Sequence, residues 1–175
     1  IRAGQKLSQS QLEDLKRADL AQRALDRALH YLSYRPRSAT EIRVRLHRLG
    51  FEDEVIKTTL DRLRALGQVD DAAFATFWRE NRHSFSPRSS RLLAQELRQK
   101  GVDSETITEM TEGVNNEAEA YQAAHKKARS LESVDYNDFR RKLGSFLHRR
   151  GFDYGVIRKM VEKLWEEKLC EDKNE

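Results

Sequence analysis

One short motif recurs three times at nearly constant spacing, and it constrains the fold more than any other feature of the chain. Leu46-His47-Arg48-Leu49-Gly50-Phe51, Leu97-Arg98-Gln99-Lys100-Gly101-Val102 and Leu147-His148-Arg149-Arg150-Gly151-Phe152 align on their glycines, which stand 51 and 50 positions apart. The flanking columns agree. Ile42, Leu93 and Leu143 come eight residues before the glycine, and Leu46, Leu97 and Leu147 four before it. Ile56, Ile107 and Ile157 follow six after, and Leu63, Val114 and Leu164 thirteen after. That many matching columns mean three homologous units.

Each unit reads as three helices. Apolar residues every three or four positions before the glycine give one buried stripe, and the glycine is the residue able to take the left-handed conformation that ends a helix. The next helix opens with acids that suit a positive helix N-terminus: Glu52, Asp53 and Glu54, then Asp103 and Glu105. A further periodic segment precedes each glycine helix, over Leu20 to Leu32, Phe74 to Arg82 and Ala118 to Leu131. Ser38-Ala39-Thr40-Glu41 has the capping-box pattern. Asp70 or Asp71 can cap the helix bearing Phe74, Phe77 and Trp78, and Pro87 suits the opening of the second glycine helix. With two prolines in 175 residues, the expectation is an all-α chain, a tandem array of three three-helix units, elongated and curved. The expected boundaries are 1–18 for a lead-in helix in a truncated N-terminal region, 19–67, 68–114 and 115–169 for the units, and 170–175 for an acidic, fraying tail. The start at Ile1 rather than Met suggests a missing N-terminal part.

Several classes of chemistry have no footing. A single cysteine, Cys170, rules out an internal disulfide framework or a Cys-rich zinc site and fits a reducing, cytoplasmic home. No apolar run approaches membrane-spanning length. No phosphate-binding glycine loop occurs. His30, His47, His83, His125 and His148 lack metal-ligand spacing, and helix capping accounts for Asp70-Asp71 better than paired catalytic carboxylates do. The expectation is a protein that is not an enzyme, with no metal and no cofactor.

The charge pattern is more informative. The net charge is only +4, but it is unevenly spread. Arg35 to Gly50 holds five Arg against one Glu, Arg79 to Gly101 six basic residues against two acidic, and Lys126 to Gly151 eight against three. Val102 to Ala120 holds six acids and no base. The basic stretches supply the contact candidates: Arg43, Arg45 and Arg48; Arg88, Arg91, Arg98 and Lys100; then Lys126, Lys127, Arg129, Arg140, Arg141, Lys142, Arg149 and Arg150. Solvated helix faces, with the usual cationic bias near helix C-termini, account for any one of them. Their recurrence suits a ladder meeting phosphates or an acidic protein groove. The two helices around each glycine also look like a helix-turn-helix. A major-groove reader, however, presents the second helix N-terminus to base edges, and here that position carries carboxylates. Sequence-specific reading is disfavoured, and backbone-only contact stays open.

The residues also resemble the RecX family of bacterial RecA regulators. The likeness rests on Arg35-Pro36-Arg37-Ser38 leading into Glu41-Ile42-Arg43-Val44-Arg45-Leu46, on Gly50-Phe51, and on Val69-Asp70-Asp71-Ala72-Ala73-Phe74-Ala75. Gln95-Glu96-Leu97-Arg98-Gln99-Lys100-Gly101 and Phe146-Leu147-His148-Arg149-Arg150-Gly151-Phe152 complete it, so that it runs from Leu20 to Leu164. Gln68 departs from the apolar or aromatic residue usual before Val-Asp-Asp, and Val102 replaces the Phe of the equivalent positions 51 and 152. The resemblance implies a regulator that lodges in the groove of the RecA filament on DNA and inhibits ATP hydrolysis, strand exchange and co-protease activity. It implies structural roles for the turn glycines Gly50, Gly101 and Gly151. The chain is expected to act as a monomer away from membranes. The alternative is a non-specific protein that competes with RecA for single- or double-stranded DNA. Against base stacking on single strands, Trp78 and Trp165 fall on apolar stripes that read as core.

Overall fold

A computed structural model describes residues 8–131 and 133–171. Its regular structure is helical throughout, with no strand among the described residues. The helices fall in threes: α1 (Gln9–Leu32), α2 (Ala39–Arg48) and α3 (Asp53–Ala65); α4 (Asp71–Phe85), α5 (Ser90–Gln99) and α6 (Ser104–Thr111); α7 (Asn116–Arg129), α8 (Tyr136–Arg149) and α9 (Tyr154–Glu171). By packing, the chain forms two compact units, one ending at Phe74 and the other beginning at Ala75.

In the first unit α1, α2 and α3 pack on one another. Their shared core is Leu25, Ala28, Ile42, Leu46, Ile56, Leu60 and Leu63. In the second, α7, α8 and α9 enclose Phe139, Leu143, Leu147, Phe152, Met160 and Leu164, and α5 lies on α6 over buried Leu93, Leu97, Val102 and Ile107. Apart from Val114, which is half-buried beyond the end of α6, the repeat columns are therefore the core. Leu46, Leu97 and Leu147 are all fully buried, each removal from water contributing about 2 kcal/mol.

The glycine columns are helix stops of one kind. Gly50, Gly101 and Gly151 have φ of 83°, 78° and 84°. At each, the glycine N–H bonds three residues back, and the next N–H reaches back five, to Leu46, Leu97 or Leu147. This is the Schellman pairing, which satisfies the last helical carbonyls. Starts are equally local. Ser38, Ser89, Asp103, Asn115 and Asp135 each accept an N–H of the helix they precede. The first side chain of α4 and that of α7 also help the glycine helix before them. Asp71 Oδ1 accepts from the Ala39 N–H at 2.8 Å, and Asn116 Oδ1 from the Ser90 N–H at 2.8 Å. Both take N–H groups that have no partner within their own helix.

Several details differ from expectation. The lead-in is no separate helix, since α1 runs unbroken from Gln9; positions 1–7 lie outside the described residues. Cys170 is exposed on α9, which continues through Glu171, and positions 172–175 lie outside the description. The capping box at Ser38 is half formed: Ser38 accepts from Glu41 N–H at 3.2 Å, while the Glu41 carboxylate turns to Arg35 at 2.9 and 3.1 Å. Asp70 is the cap of α4, which frees Asp71 for Ala39. Pro87 stands two residues ahead of the α5 cap, Ser89. Trp78 and Trp165 are half-buried rather than core.

Within the second unit the turn at Gly151 docks on the start of α5. The Ser89 N–H donates to the Arg150 carbonyl at 3.1 Å, Arg91 Nη2 to the Gly151 carbonyl at 3.3 Å, and Arg150 Nη1 to Ser86 Oγ at 2.8 Å. A Cβ on Gly151 would come within 2.6 Å of Ser89 Oγ and 2.7 Å of Leu92 Cβ, so the approach itself requires glycine.

Candidate interaction surface

The basic candidates separate by what they touch. Arg43, Arg48, Arg98, Lys126, Arg129, Arg140 and Arg149 are exposed, and their side chains make no ion pair or hydrogen bond among the described residues. Arg48, Arg98 and Arg149 occupy the last turns of α2, α5 and α8 or their edges, where the helix dipole favours a cation.

The others are engaged inside the fold. Glu96, only 14% exposed at its side chain, holds Arg82 Nε at 2.7 Å and Arg88 Nε at 2.9 Å and accepts from Trp78 Nε1 at 2.9 Å. Arg82 and Lys100 lie over the Trp78 ring at 4.5 and 4.9 Å. Arg150 covers Phe146 at 4.3 Å, and Arg91 is tied to the Gly151 turn. Arg141 and Lys142 share Asp138, at 2.7 and 3.1 Å. Arg45 sits 5.8 Å from the Tyr31 ring, which Arg37 covers at 4.0 Å. Lys127 is half-buried beside Phe146 and Phe85.

The electrostatics follow these partners. Hydrogen bonds from Arg141 and Lys142 hold the Asp138 carboxyl below its ordinary value, and Asp138 in turn raises Arg141. Burial, with Arg88, Arg82 and Arg149 nearby, lowers Arg150. Backbone and hydroxyl donation from Thr106 lowers Asp103. Two of the acids opening the post-glycine helices are caps, Asp103 for α6 and Asp153, which accepts from Val156 N–H at 2.9 Å, for α9, whereas Glu52 ahead of α3 makes no capping bond with its side chain. Asp53 meets His47 at 2.8 Å.

Two of the concave surfaces that gather cations hold several of the basic candidates each. Between α8 and α9 runs an open groove of about 540 Å³ that brings Arg140, Arg141 and Arg149 together with Arg158 and His148 over Gly144, Ile157 and Val161. A smaller hollow of about 240 Å³ combines Lys126, Lys127 and Arg150 with Phe85, Pro87 and Phe146. Phe85 is 80% exposed. Sequence reasoning missed Arg82, Arg158, Phe85 and Gly144. Phe85 continues the apolar stripe of Phe74 and Trp78 and so reads as core, but α4 ends there. The described residues contain no group of three or more His, Cys, Asp or Glu placed to hold a metal. No described helix is long and apolar enough to cross a membrane.

Comparison with known proteins agrees with this architecture. Family models described as the first, second and third three-helix domains of RecX match residues 24–63, 70–110 and 116–161. The regulatory protein RecX of Prosthecochloris aestuarii is 39% identical over 142 residues, covering 81% of this chain and 93% of that one. Its counterpart from Mycobacterium avium is 38% identical over 138 residues, covering 76% and 79%. A crystal structure of a regulatory protein RecX superposes with a TM-score of 0.71 at 24% identity, over 93% of this chain and 81% of that one. RecX from Lactobacillus salivarius gives 0.64 at 22%, over 84% and 97%. These two structures carry the fold; the matched domains, in order along the chain, and the closer relatives carry the descent. The chain belongs to the RecX family.

Proposed function

We propose that this protein is a non-enzymatic regulator of the RecA recombinase, acting in the cytoplasm as a monomer. It docks in the groove of the RecA filament on DNA and inhibits ATP hydrolysis, strand exchange and co-protease activity. One observation supports this reading beyond the family: exposed arginines with no ion pair among the described residues stand at the ends of all three glycine helices, while Asp103 and Asp153 beside two of them are consumed as caps and Asp53 beside the third by His47. Cations left over in this way are available to a polyanionic surface. Replacing Arg48, Arg98 and Arg149 with Gln should raise the concentration needed to act on RecA at least tenfold, with the far-UV circular dichroism unchanged. An undiminished effect removes these cations from the mechanism.

A second reading, direct competition with RecA for single-stranded DNA, draws on the exposed Phe85 ringed by Lys126, Lys127 and Arg150. An aromatic face beside cations suits a base and its phosphate. It requires binding to bare DNA that falls steeply with salt and is lost in Phe85→Ala.

A further inference from the structure

The groove between α8 and α9 contains a residue that the fold does not ask for. Gly144 lies in the interior of α8, where glycine costs about 1 kcal/mol relative to alanine. A Cβ there would meet only Ile157 Cγ2, at 3.6 Å, an ordinary contact. Among the described residues nothing is relieved by the missing side chain; what its absence does is deepen the groove. The same repeat column holds Arg43 in α2 and Ala94 in α5, so only the third unit has a glycine here.

The groove is two-toned. Gly144, Ile157 and Val161 make an apolar floor. Because α8 and α9 are joined by the tight turn at Gly151, Tyr136 and Tyr154 stand at opposite ends; Tyr154 is 73% exposed. Arg140, Arg141, Arg149 and Arg158 line the rim, with Glu162 the one carboxylate among the lining residues. Arg141 is held by Asp138 at 2.7 Å, and Arg158 reaches Glu162 only at 3.9 Å. Arg140 and Arg149 are uncommitted. A nucleic-acid strand would use the rim and waste the floor. An apolar ligand would use the floor and waste the rim.

We propose that this groove is a docking site for an acidic, amphipathic segment of the protein partner, with an apolar side chain seated over Gly144 and carboxylates on Arg140 and Arg149. In naming the partner as RecA the proposal rests on the function proposed above; the chemistry of the segment rests on the groove alone. Binding of this kind follows the helix-in-groove mode, in which spaced apolar anchors set position and flanking charge sets specificity.

The test uses the ¹⁵N-labelled full chain and three probes: a 12-residue Glu-rich peptide with two leucines four apart, the same peptide with both leucines changed to serine, and a 12-nucleotide oligothymidylate. The leucine peptide should shift the Gly144, Ser145 and Ile157 amides and bind at least tenfold more tightly than the serine peptide or the oligonucleotide. Gly144→Leu should weaken it at least tenfold, as should Arg140→Ser with Arg149→Ser. Gly144→Ala should fold with a raised melting temperature and bind more weakly than the parent, which keeps the test decisive if the leucine variant does not fold. Equal binding of all three probes, or shifts elsewhere only, overturns the proposal: the rim is then a general anion surface or a nucleic-acid site. The same variants are then assayed on RecA filaments. Loss of the parent's effect in Gly144→Leu places RecA in the groove, and full retention overturns that assignment. A parent protein without effect on RecA, but with the peptide bound at Gly144, refutes the RecA reading and leaves the groove as a site for another acidic protein.

Discussion

Alanine at Gly50 and at Gly151 changes the same repeat column by the same atom group, yet the two substitutions should differ in cost. Both glycines are left-handed, with φ of 83° and 84°, and a Cβ in that region costs about 1 kcal/mol. At Gly50 the added carbon meets nothing within 4 Å, so that strain is the whole effect. At Gly151 it falls 2.6 Å from Ser89 Oγ and 2.7 Å from Leu92 Cβ. The hydroxyl can rotate, but Leu92 Cβ is fixed to the α5 backbone, which must move. Overpacking of this kind adds about 1–3 kcal/mol and pulls on the Ser89 N–H to Arg150 carbonyl bond. The expectation is a loss of about 1 kcal/mol for Gly50→Ala and about 2–4 kcal/mol for Gly151→Ala, read by urea unfolding followed in the far-UV circular dichroism. Equal losses would refute the close docking of the third turn on α5. A negligible loss at both would refute the left-handed turns themselves.

Two further perturbations probe the charges that the fold retains. Glu96→Gln should cost on the order of 2 kcal/mol in urea unfolding, because two half-buried arginines lose their carboxylate; a loss under about 0.5 kcal/mol would contradict that role. Asp138 titrates below the ordinary carboxyl value, so its pairing with Arg141 and Lys142 is present at neutral pH and is lost as pH falls through the lowered folded value. An NMR titration should therefore show its midpoint rising in the Arg141→Ala, Lys142→Ala double variant, and an unmoved midpoint would mean the two cations do not hold it.

The sequence made the skeleton legible because the repeat samples each structural position three times. Leu46, Leu97 and Leu147 are buried without exception, and the three glycines end their helices in one geometry. Pattern alone could not say which cations face outward, since that depends on carboxylates distant in sequence. Arg88 and Arg98 belong to one basic helix region, yet Glu96 claims the first and leaves the second in solvent. Asp71 shows the same limit. Both adjacent aspartates looked like caps, and only the hydrogen bond that Asp71 accepts at the start of α2 assigns it to Ala39. Gly144 went unnoticed because a helix-interior glycine stands out only when the space before it is seen to be open.

The central claim, action on RecA rather than on DNA, is tested most directly by ATP turnover. RecA on single-stranded DNA is titrated with this protein below one copy per RecA at physiological salt, with binding to the same bare DNA measured in parallel. The account predicts inhibition at concentrations where no bare-DNA binding is detected. Inhibition that sets in only as the protein coats free DNA would contradict it and make the protein a competitor for the lattice.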